Sequence, residues 1–156
     1  MAVKPIPEGY HTLTPSLTID NAAEAIEFYK RAFGATERAR MLGPDGMIAH
    51  AELQIGDSVL MLADPFPQAT TKPPKEIGGT TVTLFLYVED VDAVFQQAVG
   101  AGATAAMPVD DMFWGDRFGS VTDPYGHSWG IATHVEDVPP EEMEERGRAA
   151  MAAMSS

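Results

Sequence analysis

An internal duplication is the feature that most limits how this chain can fold. Gly34-Ala35-Thr36 recurs 68 residues later as Gly102-Ala103-Thr104, and Gly56-Asp57-Ser58 recurs 70 residues later as Gly126-His127-Ser128. A period near 69 in a chain of 156 residues leaves room for two modules and a tail, so the repeat is a duplication and not a solenoid. The turns alone would be weak evidence. The same order of strand, helix and further strands lies between them in both halves.

The helices read from their apolar stripes. Ala22, Ile26, Tyr29 and Phe33 recur at helical spacing, and Asn21 with Glu24 has the pattern of a capping box before a helix that stops at Gly34. Val91, Val94, Phe95 and Ala98 mark a second helix, with Asp90 placed to cap it and Gly100 or Gly102 to end it. A strand of period 2 precedes each helix: Leu13, Leu17 and Ile19 against Thr12, Thr14, Ser16 and Thr18, then Val82, Leu84, Leu86 and Val88 against Thr81, Thr83, Phe85 and Tyr87. Further strands are predicted over 36–42, 47–55 and 58–63 in the first half, and over 104–113, 118–122 and 128–134 in the second. The expectation is an α+β fold with two tandem βαβββ modules, 8–64 and 79–134, forming curved mixed sheets around a cavity. A proline-rich linker, 65–78, joins them, and a helical tail occupies 135–156.

Composition narrows the function. With no cysteine there are no disulfides, thiol nucleophiles or thiolate metal sites. A net charge of −13 argues against nucleic acid, which needs a basic surface. No apolar run is long enough to span a bilayer and the first residues lack the apolar core of a signal peptide, so a cytoplasmic location with no membrane partner is expected. The same acidity either attracts a cationic ligand or simply keeps molecules apart. In the tail, acids precede arginines as a helix dipole prefers, and Met143, Ala150, Met151 and Met154 are available to pack on the body or on a second subunit.

Tyr10-His11-Thr12-Leu13-Thr14-Pro15, Phe28-Tyr29-Lys30-Arg31-Ala32-Phe33-Gly34-Ala35 and Trp114-Gly115-Asp116-Arg117-Phe118-Gly119, followed by Asp123-Pro124-Tyr125-Gly126-His127, resemble the vicinal-oxygen-chelate superfamily of glyoxalases, bleomycin-resistance proteins and extradiol dioxygenases. The match looks closest to its PhnB-like branch and covers about residues 8–134. The resemblance implies two curved sheets whose concave faces make a cavity, and a homodimer. Its metalloenzymes carry ligands at positions that fall here on Thr14, Leu60 (or Met61 with a register one residue different), Thr83 and Gly130. These are poor ligands for a divalent ion, so neither a bound metal nor another cofactor is expected.

Other residues fill the candidate site. On strand 47–55 the apolar set is Met47, Ala49, Ala51, Leu53 and Ile55, which turns Ile48, His50, Glu52 and Gln54 towards the cavity. His50 and Glu52 are either a base-and-orienter pair, half of an unconventional metal site, or a solvated strand face. Thr14, Thr83, Phe85 and Tyr87 are predicted on the cavity surface, with Trp114 and Arg117 at its rim. Arg117, the body's only basic residue beyond position 75, either holds an anionic group or forms a salt bridge with Asp110, Asp111 or Asp116. Two functions follow. The first is a protein that binds and sequesters or carries a small organic ligand without metal. The alternative is a lyase, isomerase or transferase related to the glyoxalases and dioxygenases, with no metal or a non-standard one, centred on His50 and Glu52.

Overall fold

The duplication appears in the computed structural model, which describes residues 2–155, as two copies of one βαβββ unit. The first contains β1 (Ser16–Thr18), α1 (Ala22–Phe33), β2 (Thr36–Leu42), β3 (Ile48–Ile55) and β4 (Ser58–Ala63). A single helical turn, α2 (Pro74–Ile77), lies in the linker, where the sequence suggested no regular structure. The second unit contains β5 (Thr83–Tyr87), α3 (Val91–Ala101), β6 (Thr104–Asp111), β7 (Asp116–Thr122) and β8 (Ser128–His134). The tail forms α4 (Pro140–Met154), and Ser156, the end of the predicted tail, lies outside the described residues.

Each unit folds into a four-stranded mixed sheet with the same order, β1-β4-β3-β2 and β5-β8-β7-β6. The first strand pairs in parallel with the last, and the other pairs are antiparallel. The two sheets do not close into a barrel. One face of each sheet is covered by its helix, and α1 packs on α3. Phe28, Tyr29, Ile26, Trp129 and Ile131 are buried in the resulting core. Gln97 of α3 donates to the last carbonyls of α1, those of Arg31 and Ala32, at 2.9 and 3.1 Å.

The two helices begin alike, by a device the sequence did not reveal. The N–H of Ala22 donates to Asp64 Oδ1 at 2.9 Å, and that of Val91 donates to Thr133 Oγ1 at 2.9 Å. Both acceptors come from the last strand of the module or the residue just after it, so that strand caps its own helix. Asn21 therefore does not act as half of a capping box: it adopts a left-handed conformation (φ 65°), and its side-chain amide donates to the Glu24 carboxylate. Asp90 does cap α3, accepting from Ala93 N–H at 3.1 Å, and Gly102 ends it.

An aspartate joins the modules. In the Asp123-Pro124-Tyr125-Gly126 turn, buried Asp123 accepts from the N–H groups of Tyr125 and His127, both at 2.9 Å, which closes the turn. Its other oxygen accepts from the Trp129 indole at 2.9 Å and from the Tyr29 hydroxyl of α1 at 2.5 Å.

Strand alternation needs three corrections, the briefest at Val82, which precedes β5 and is 61% exposed instead of core. The first strand starts only at Ser16, so Leu13 precedes it and is 87% exposed instead of core. In β3 it is Ile48, not Met47 or Ala49, that is fully buried, together with Ala51 and Leu53. The register moves from Leu42↔Ile48 to Met41↔His50, leaving Ala49 as the extra residue of a bulge. The bulge reverses the parity below it and leaves His50, Glu52 and Gln54 on the face away from the helices.

Candidate functional site

The second module presents an aromatic wall on the face of its sheet opposite α3. Phe85 and Tyr87 alternate out of β5, with ring centroids 5.1 Å apart. Phe118 of β7 stacks on Phe85 at 5.4 Å with planes 9° apart. Trp114, in the β6–β7 loop, adds a fourth ring 6.0 Å from Phe118. Phe85 is 44% exposed and Tyr87 64%, so the wall is open to a ligand. Gly130 of β8 forms its floor: a Cβ there would stand 2.8 Å from Phe85 and 3.0 Å from Phe118. The rings can lie down on the sheet because this position has no side chain.

Asp116 organises the polar edge of this wall. It is 2% exposed and accepts from the Tyr87 hydroxyl at 2.8 Å, the Trp114 indole at 2.9 Å and His134 Nδ1 at 2.8 Å. Burial by itself would raise its pKa, but these three donors outweigh burial and leave it lowered. His134 Nε2 makes a second bond, to Asp137 at 2.7 Å, and the two carboxylates, Asp137 foremost, raise the pKa of the imidazole. Phe118 and the hub role of Asp116 were the features least visible in the sequence, whereas His134 ends β8 on the parity of Gly130 and is legible there from alternation alone. A strand beginning at Asp116 would have given the signal, since residues 116, 118 and 120 then share the face opposite buried Val121.

Arg117, on the other parity, points to the helix side and is not at the rim of this surface. Its guanidinium donates to both oxygens of Asp92 in α3, at 2.8 and 3.0 Å, and to Asp111 at 3.2 Å. Of the three salt-bridge partners expected for it, Asp111 is found. Asp92 was not anticipated.

The first module presents a polar face. His50 Nε2 lies 2.9 Å from Glu52 Oε2, half-buried, and the Tyr10 hydroxyl also bonds to Glu52. The Tyr10 and His50 bonds lower the pKa of Glu52, and burial raises that of Tyr10. Arg38 stacks over the Tyr10 ring at 5.1 Å and donates to the Glu8 carbonyl at 3.2 Å, so the segment 5–12 lies across this face. Thr14 lines the recess beneath that segment with Glu52 and Met61, and it also lines a cleft of about 250 Å³ between the modules with Phe85, Leu60 and Trp129. Thr83 is exposed at the far end of the Phe85 face, 3.2 Å from Ser128 Oγ. Within one chain His50 and Glu52 belong to the first sheet's surface and Phe85, Tyr87 and Trp114 to the second's. Thr14 and Phe85 line the same cleft.

Residues 10–131 match the sequence profile of the Glyoxalase/Bleomycin resistance protein/Dioxygenase superfamily. The chain belongs to that superfamily. Among relatives of this glyoxalase-superfamily chain, Rv0887c of Mycobacterium tuberculosis is 46% identical over 147 residues, 92% of this chain and 82% of that one. The crystal structure of TioX from Micromonospora sp. ML1 is similar with a TM-score of 0.65 and 28% identity, covering 80% of this chain and 99% of TioX. The PhnB protein from Bacillus cereus, described as a putative 3-demethylubiquinone-9 3-methyltransferase, shares the fold with a TM-score of 0.62 at 21% identity, covering 79% of this chain and 99% of its own.

The superfamily's metal does not fit these residues. Of the four positions, Thr14 and Thr83 offer single hydroxyls, and Gly130 offers nothing and lies beneath two phenyl rings. Met61, not buried Leu60, shares the face of Glu52 across the β3–β4 ladder, and its thioether is a soft donor. Among the described residues no three His, Asp or Glu side chains are arranged to hold an ion.

Proposed function

We propose that this chain is a binding protein for a small, flat, partly aromatic organic molecule that stacks against Phe85, Tyr87, Phe118 and Trp114. The observation that carries this reading is the aromatic wall itself, which stands over Gly130 where the superfamily's metalloenzymes would place a ligand. Rings in a concave site supply contact area at low entropic cost, and the Tyr87 hydroxyl beside Asp116 supplies a polar handle for orientation. A neutral or cationic ligand suits the surface: the chain carries −13, and the second module's one arginine is turned away and paired with Asp92 and Asp111.

The protein acts as a homodimer in this reading. Met41 and Leu42 are exposed on a sheet that stays open within one chain, and a second copy would cover part of this surface. A second reading, catalysis, is favoured by one observation, the 2.9 Å bond that holds His50 against Glu52. That pair orients an imidazole as general bases are oriented.

A thermal-shift screen of flat aromatic cations, neutral molecules and anions, followed by chemical-shift mapping of the stabilising compounds, tests the proposal. Cations and neutral molecules should stabilise the protein and perturb Phe85, Tyr87, Phe118 and Trp114. Stabilising compounds that perturb none of these four residues would refute it. Turnover of such a compound that His50→Ala abolishes without loss of binding would replace it with the catalytic reading.

A further inference from the structure

We propose that the tail helix α4, which lies beyond the superfamily match at 10–131, is a positioning element of the aromatic wall: it clamps the β6–β7 loop that supplies Trp114 and leads into Asp116 of β7. The clamp centres on Arg146. Its guanidinium donates to the Phe113 carbonyl at 3.3 Å, to both carboxylate oxygens of Glu136 at 2.8 and 2.9 Å, and to Glu142 at 2.7 Å. Isolated surface ion pairs contribute little, but a bidentate arginine in a network with a backbone acceptor restricts geometry as well as attracting charge.

Glu136 passes the restraint to the loop. The N–H groups of Val135 and Glu136 both donate to the Gly115 carbonyl, at 2.9 and 3.0 Å. Gly115 itself (φ 100°) sits so close to the chain leaving β8 that a Cβ would stand 2.1 Å from the Glu136 carbonyl oxygen. The Phe113 ring rests against Gly147 of α4, where a Cβ would be 3.4 Å away. Beneath the loop, His134 links Asp116 to Asp137 in the segment that leads into the helix. The loop of Phe113, Trp114 and Gly115, with Asp116 at the start of β7, is therefore held on one side by Arg146 and on the other by residues 134–137. Trp114 faces Phe118 because both ends of its loop are fixed. Towards the far end of α4, Met151 and Met154 are 69% and 85% exposed.

The test reads Trp114 directly. The chain has two tryptophans, and Trp129 is buried in the core, so the Trp114 signal is the difference between a protein and its Trp114→Phe counterpart. In the full chain, Arg146→Ala should raise acrylamide quenching of Trp114 roughly twofold and shift its emission to the red, with cooperative melting retained, because a loop released from its tether opens locally without global unfolding. Glu136→Gln should move both in the same direction by less, and Arg146→Lys, which keeps the charge but not the fork, should fall between wild type and Arg146→Ala. Unchanged Trp114 quenching in folded Arg146→Ala overturns the proposal. If that variant does not fold, unchanged quenching in Glu136→Gln does so.

The consequence for binding rests on the reading of the wall as a ligand surface, and it has its own measurement. Proflavine, a flat aromatic cation, should bind Arg146→Ala about fivefold more weakly than wild type, the size expected for disordering one ring of the wall. Equal proflavine affinity overturns the link between tail and site. Failure of wild type to bind proflavine counts against the wall as a cation site and leaves the quenching result intact.

Discussion

Replacing Tyr29 with phenylalanine isolates one buried bond between the two modules. The Tyr29 hydroxyl donates to Asp123 at 2.5 Å in the core, and the ring packs against Trp129 at 5.3 Å between centroids. Burial first, then the adjacent carboxylate, pushes the phenol well above its ordinary pKa, and its hydroxyl is the donor in this bond. The substitution keeps the ring, so packing changes little. Asp123 retains three donors, from Trp129, Tyr125 and His127, and is not orphaned. The loss is then that of one hydrogen bond to a charged group, about 2 kcal/mol within the usual range of about 1.5–3. For a chain of this size each kcal/mol is worth roughly 2–4 °C, so Tm should fall by about 4–8 °C. Urea titration should give the same loss with an unchanged m-value, because the surface exposed on unfolding is the same. A drop below about 1 °C would refute the reasoning, and would mean that water or a neighbouring group replaces the hydroxyl at Asp123.

Other consequences are independent of that bond. Gly115→Ala should be among the more damaging single substitutions, costing at least about 1–2 kcal/mol for its left-handed conformation before the clash with Glu136 is added; calorimetry showing no loss would contradict the geometry. His134 has a raised pKa in the folded state, so its bonds to Asp137 and Asp116 contribute stability that is complete below its unfolded pKa of about 6.5 and is lost as pH rises through the folded value. The Tm difference between wild type and His134→Gln should accordingly be larger at about pH 5.5 than at about pH 9, and a flat difference would oppose this. For any compound mapped to the aromatic wall, Phe85→Ala should cost about 1–3 kcal/mol of binding and Arg117→Ala less than about 0.5, since the arginine faces α3; calorimetric titration giving the reverse order would displace the site. Light scattering at micromolar concentration should give the mass of two chains, and the mass of one would remove the dimer from the proposed function.

The sequence by itself determined the architecture, because its determinants are local and occur twice. Period-2 alternation in β5, period-3.6 stripes in α1 and α3, and the glycines that stop them recur at a common offset, and each is read within about ten residues. Asp90 is legible for the same reason, since its acceptor and its donor at Ala93 are three residues apart. The aromatic pair Phe85 and Tyr87 could be placed on the face opposite the helices by parity alone. Tertiary structure decided the rest, and it did so in two physical ways. Alternation survives only inside an unbroken ladder, so the extra residue at Ala49 and the late start of β1 at Ser16 reverse or end the pattern where no side chain announces it. Hydrogen bonds between distant residues leave no periodic trace at all. Asp64 caps a helix 42 residues upstream, Asp123 reaches a hydroxyl 94 residues away, and Asp116 gathers Tyr87, Trp114 and His134 from three separate segments. In the sequence Asp64 looks like any other acid of a strongly acidic chain, and Asp116 and Asp123 stand in recognisable segments that do not say which donors they gather. Only folding makes them hubs, by bringing donors from distant segments to a carboxylate that is buried at Asp116 and Asp123 and partly buried at Asp64.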